Sequence, residues 1–106
     1  MAVSPAVVRS RLETLARITA HRQALQAVID DVAAGRLSLV EVFRRAAAAD
    51  HDDASRQVYL VKLAEVLPAI GKVRARRVLA DHGLGERTRV GDVPVAVQQP
   101  VCGALS

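Results

Sequence analysis

Aromatic residues are nearly missing from this 106-residue chain, which holds one Phe, one Tyr and no Trp. Nucleic-acid modules that stack bases on rings, such as the RRM and the OB fold, are therefore excluded. Cysteine is as scarce. Cys102 stands alone, so there is no internal disulfide and no structural zinc site, and a reducing cytoplasm suits the chain. No apolar run approaches the ~18 residues of a membrane span. The N-terminus has no basic region leading into a long apolar stretch. The expectation is a cytosolic protein with no membrane partner.

What is present is small and apolar. Hydrophobic residues make up 51% of the chain, with 19 Ala and 17 Val, and charged residues a further 25%. That composition and length fit one compact soluble domain. A chain of this size buries only roughly 60–70% of its unfolded surface, so its helices must pack well. The net charge of +4 is unevenly placed. Residues 1–54 hold seven Arg and seven acids, whereas residues 55–106 hold eight basic and four acidic residues, so the whole excess lies in the second half. A polyanion would bind there.

Ser4-Pro5 is a helix-start signal, a capping hydroxyl followed by the residue that loses least at the first helical position. Val8, Leu12, Leu15, Ile18, Leu25, Ile29 and Val32 then recur at helical spacing, interrupted by Arg22. This predicts a long amphipathic helix ending near Gly35. Ser38-Leu39-Val40-Glu41 fits a capping box, with Leu37 and Val42 placed as a hydrophobic staple, and predicts a short helix over about 39–49. Asp50-His51-Asp52-Asp53 reads as an exposed loop, since adjacent residues rarely converge on one metal ion. VYLVKLAEVL, residues 58–67, predicts a buried third helix stopped by Pro68. A fourth is expected from Lys72 to His82, closed by Gly83. Beyond Gly91, Pro94 and Pro100 bracket VAVQQ, too short to predict an element.

The most informative stretch is Leu67-Pro68-Ala69-Ile70-Gly71-Lys72-Val73-Arg74-Ala75-Arg76-Arg77. A tight turn at Gly71 followed at once by a helix leaves the first backbone amides unpaired, pointing outward with the positive end of the helix dipole. That is a phosphate site. Ala75, Val78 and Leu79 define the buried side, so Lys72, Arg74, Arg76 and Arg77 flank the exposed side, with no acid between residues 66 and 80. Arg87 and Arg89 in the following Gly-containing loop extend the patch toward a second backbone position.

LxxVLPAIGKVRARRVL, within the stretch Val58–Arg89, resembles the "LPxxGKxxA" segment and basic loop of the actinobacterial integration host factor. More distantly it is similar to the helix-two-turn-helix element of ribosomal protein S13 and of DNA-glycosylase domains. GRLSLVEVFRRA resembles the short second helix of the integration-host-factor family, and the long first helix fits its N-terminal helix. The resemblance implies an all-helical nucleoid-associated protein that binds duplex DNA with little sequence preference and bends or compacts it. It carries Pro68, Gly71, Lys72, Arg74 and Arg77 onto the turn and basic helix, and Arg89 onto the following loop. The chain departs after Arg89, where the family's basic C-terminal helix is replaced by VGDVPVAVQQPVCGALS, which holds no cation.

The expected architecture is all-α: a long N-terminal helix over 1–36, a helix-two-turn-helix DNA-binding unit over 37–92, and a divergent tail over 93–106. The expected DNA-binding residues are Pro68, Gly71, Lys72, Arg74, Arg76, Arg77, Arg87 and Arg89. No Asn or Gln on the basic helix is set up to read bases, so backbone recognition with weak preference is expected. His21, His51 and His82 lie in separate segments and no nucleophile arrangement is readable. Hence no enzymatic activity, cofactor, metal or small-molecule substrate is expected, and double-stranded DNA in the cytoplasmic nucleoid is the expected partner. The alternatives are a structured-RNA or ribosome-associated module similar to S13, and a helical protein-interaction module using the Val/Ala-rich tail.

Overall fold

A computed structural model describes residues 5–106. It is all-α. The elements are α1 (Pro5–Ala33), α2 (Leu39–Ala48), α3 (Ala54–Gln57), α4 (Leu60–Glu65), α5 (Lys72–Asp81), a 3₁₀ turn (Val90–Asp92) and α6 (Val95–Ala104). Among the described residues the one β-type pairing is an isolated antiparallel bridge between Tyr59 and Arg89.

The predicted cap Ser4 lies outside the described residues. At its other end α1 closes where Gly35 takes φ +76°, a left-handed conformation costly for residues with a Cβ, and the amides of Arg36 and Leu37 return to the Asp31 carbonyl. The predicted apolar stripe is present, but most of it is not buried. Val32 is buried, and Leu25, Val28 and Ile29 pack against the core. Leu12 and Leu15 are 61% and 59% exposed, and every residue from 5 to 24 is exposed. The reason is length. A 29-residue helix runs about 44 Å, whereas the molecule measures 25 and 24 Å across its shorter axes. The body covers only the last turns, and the rest projects as an arm.

Helix α2 starts as expected, with the Glu41 amide donating to Ser38 Oγ at 3.2 Å. Half of the capping box forms. The Glu41 carboxylate turns outward to Arg44 instead of back to the Ser38 amide. Leu37 and Val42, the staple positions, are both buried.

The single helix expected over 58–67 is instead divided. Asp53 caps α3 by accepting from the Ser55 amide and hydroxyl, at 3.0 and 2.6 Å. These bonds stabilise the carboxylate and hold its pKa below the ordinary value. Val58 and Tyr59 are then extended, and α4 begins at Leu60. The break has a long-range cause. Leu60 N–H donates to the Thr88 carbonyl and Val90 N–H donates to the Val58 carbonyl, both at 2.9 Å, which pins residues 88–90 against this corner.

The tail from Gly91 also differs from the featureless segment expected. The 3₁₀ turn and α6 complete the core, with Val101 fully buried and Val93 and Leu105 at 4% exposure. Helix α6 packs on α2 and α5. Pro100 sits inside α6, and both it and Ala96, whose carbonyl loses a helical donor, lie in exposed positions. Cys102 lies half-buried on this helix, and burial pushes its thiol pKa up. The centre of the core is Leu60, Leu63, Ala64, Ala75 and Val101, all at 0% exposure.

Arg56 joins three elements. Its guanidinium donates to the Ala46 carbonyl at 3.0 Å and the Gly91 carbonyl at 3.5 Å, tying α3 to the end of α2 and to the 3₁₀ turn. Gly91 is needed for this approach, because a Cβ there would stand 3.1 Å from the Arg56 side chain and 3.2 Å from its carbonyl.

Candidate nucleic-acid interface

The turn between α4 and α5 is built from two residues of positive φ. Ala69 adopts φ +66°, and Gly71 adopts φ +80° with ψ 157°, a region open essentially to glycine. Ile70 between them is half-buried and packs against the core, which anchors the turn. Pro68 opens the turn and is exposed.

Helix α5 therefore begins abruptly. Ala75 N–H makes the first backbone bond, to the Gly71 carbonyl at 3.1 Å, and Gly71 has no capping side chain. Among the described residues the amides of Lys72, Val73 and Arg74 have no acceptor in the protein. Three donors and the positive end of a ten-residue helix thus face solvent together.

The side chains around them divide into two sets. Lys72, Arg74 and Arg77 are exposed and form no ion pair among the described residues. Arg76, expected to stand with them, is instead paired. Its Nε donates to Glu65 Oε1 at 2.8 Å and its Nη1 lies 3.7 Å from Glu86 Oε1. The absence of acids between residues 66 and 80 held along the sequence but not in space, because α4 and the loop after α5 bring Glu65 and Glu86 alongside.

Arg89 reaches the site from across the fold. Its guanidinium lies 5.8 Å from the Tyr59 ring centroid, a cation–π contact fixed by the Tyr59–Arg89 bridge. Arg89, Lys62 and Lys72 line one groove of about 510 Å³ between α1 and α4, whose apolar wall includes Leu25, Ile29 and Val66. His21 and Gln26 of α1 and Glu65 of α4 also line it. Sequence reading did not assign Lys62, His21 or Tyr59 to the site. Lys62 was visible only as a polar interruption of an apolar run, and the α1 contribution depends on packing. Arg87 is exposed on the turn between Gly85 and Thr88, apart from the groove lining. His82 is a helix end, with Nδ1 2.9 Å from the Val78 carbonyl.

No group of three or more His, Cys, Asp or Glu among the described residues is arranged to hold a metal ion. No helix among them is long and apolar enough to cross a membrane.

No protein-family model matches the chain, and no curated protein matches it. Among solved structures, the fold is similar to that of sIHF bound to an 8 bp palindromic DNA, with a TM-score of 0.73 and 23% sequence identity. The match covers 85% of this chain and 98% of that one. At this identity the likeness establishes a shared fold.

Proposed function

We propose that this protein is a nucleoid-associated, integration-host-factor-like protein of the cytoplasm that binds duplex DNA through its phosphate backbone, with little sequence preference, and bends or compacts it. In this reading α4, the Pro68–Gly71 turn and α5 act as a helix-two-turn-helix element, and the protein is not an enzyme. The carrying observation is the co-location of the three unpaired amides at the start of α5 with the unpaired cations Lys72, Arg74 and Arg77. Backbone donors and side-chain charges on one surface suit a phosphate oxyanion. Arg89, held across Tyr59 in the same groove as Lys72, suits a neighbouring phosphate. The fold shared with sIHF, a protein solved with DNA bound, supports the same partner.

The basic helix offers cations and no Asn or Gln, so recognition rests on phosphates rather than base edges. A competition binding assay tests the reading, with labelled 20 bp duplex DNA challenged by unlabelled duplex or by a structured RNA hairpin at two salt concentrations. Duplex DNA is expected to compete better, with binding weakening steeply as salt rises. Preference for the hairpin would transfer the site to structured RNA. Indifference to salt would remove nucleic acid as the partner.

A further inference from the structure

Among the described residues the projecting arm of α1 is the longest segment that the body leaves exposed, and its charge states what would cover it. Residues 5–24 carry Arg9, Arg11, Arg17 and Arg22 against the single acid Glu13, a net +3 on a segment exposed throughout. None of these charges is ion-paired among the described residues. The arm is also aligned with the groove. Residues 11, 18, 22, 25 and 29 are spaced by seven, four, three and four, so they share one face of the helix. Leu25 and Ile29 on that face line the groove that holds Lys62, Lys72 and Arg89. Arg22 and Arg11 therefore continue the line of cations outward from the body. They are separated by about 16 Å along the helix axis, at 1.5 Å per residue.

On these grounds, and resting on the duplex-binding reading above, we infer that the α1 arm is a second phosphate-contacting surface for the duplex held at the start of α5. Arg11 and Arg22 contact its backbone beyond the reach of the body. A second copy of the chain fits the arm poorly. Pairing two arms brings +3 against +3, which opposes burial of the exposed Val7, Val8, Leu12, Leu15 and Ile18 against a second copy. A polyanion has the complementary charge. The arm spans about 30 Å over residues 5–24, or about nine base pairs at ~3.4 Å each, so the contact requires a duplex longer than the α5 site alone.

The test compares the full chain with Arg11→Gln/Arg22→Gln on duplexes of 8 and 20 bp across a salt series, with circular dichroism checking helicity and light scattering checking mass. The variant is expected to bind the 20 bp duplex at least fivefold more weakly, with a salt slope shallower by about 1.8, at roughly 0.9 per phosphate. Its affinity for the 8 bp duplex is expected to change little. Unchanged affinity and slope on 20 bp, with Lys72→Gln/Arg74→Gln still weakening binding, would overturn the arm's role and leave the α5 site standing. A variant that loses mass from dimer to monomer with an unchanged slope would overturn it in favour of self-association. A wild-type chain that binds neither duplex would refute the underlying duplex reading itself.

Discussion

Arg76 Nε donates to Glu65 Oε1 at 2.8 Å, so the exposed side of α5 is clasped to the end of α4 by the one cation of the basic helix that meets carboxylates among the described residues. Glu65 is 10% exposed at its side chain, whereas Arg76 is 57% exposed. The pair orients the helix while withdrawing one positive charge from the surface around Lys72, Arg74 and Arg77.

Replacing Glu65 with Gln is thus expected to tighten duplex binding. The substitution keeps the shape, weakens the hold on Arg76 to a neutral acceptor and the more distant Glu86, and removes a carboxylate from the cationic groove. Fluorescence anisotropy should show about three- to tenfold higher affinity at low salt, with a salt slope steeper by about one counterion. Weaker binding would mean that Arg76 acts by positioning α5 rather than by its charge.

The last helix is expected to be structural. Leu105, the C-cap residue of α6 and only 4% exposed, seals the contact with the body. Leu105→Ala should cost about 2–5 kcal/mol, the usual range for a buried leucine. For a domain of this size each kcal/mol lowers Tm by roughly 4–8 °C. Thermal unfolding followed by circular dichroism measures it.

Arg56 and Gly91 should be sensitive out of proportion to their visibility in the sequence. Arg56→Met keeps most of the side-chain volume but removes the charged donor from the Gly91 carbonyl and from the Ala46 carbonyl, which keeps only the Ala49 amide, at a cost of about 1.5–3 kcal/mol. Gly91→Ala forces a Cβ against the same side chain and is expected to destabilise in the same direction. Urea denaturation of the two variants measures both, and a variant as stable as wild type would show that this junction relaxes freely.

Stability should also depend on acid through Asp53. Its folded pKa lies below the ordinary aspartate value because the Ser55 hydroxyl and amide bond its ionised form. The stabilisation is therefore fully present above the unfolded pKa and is lost as pH falls through the lower folded value. Asp53→Asn retains a capping oxygen without the charge. The stability gap between wild type and this variant is expected to narrow as pH falls from about 5 to about 2. A gap that stays constant over that interval would show that the charge contributes nothing.

Local signals carried much of the architecture. Ser38 at the start of α2, Pro68 and Gly71 before α5, and Gly35 and Gly83 after α1 and α5 each act within a few residues, so their effect is visible along the chain. The missing parts are those decided at a distance. Val58 and Tyr59 read as helix because their apolar pattern allows it, and they are extended where the Leu60 amide donates to the Thr88 carbonyl and the Val90 amide donates to the Val58 carbonyl. Arg76 read as an open cation because Glu65 stands eleven residues away. The α1 stripe marks a face, but periodicity does not state whether the body is wide enough to cover it. VAVQQPVCGA reads poorly as a helix because of Pro100, and packing of Val101 and Leu105 outweighs the lost bond. Of the candidate site, Lys72, Arg74 and Arg77 were legible, whereas the groove with Lys62 and His21 required the fold.

The most direct measurement is the salt dependence of 20 bp duplex affinity for the wild-type chain and for Lys72→Gln/Arg74→Gln/Arg77→Gln, both checked for native helicity. Neutralising four or five phosphates at the body gives a slope of log K against log salt near about −4, to which the α1 arm adds about 1.8 on this duplex, and removal of three cations should make it shallower by about 2.7. The same affinity and the same slope in both proteins would contradict the account, because the start of α5 would then take no part in holding DNA.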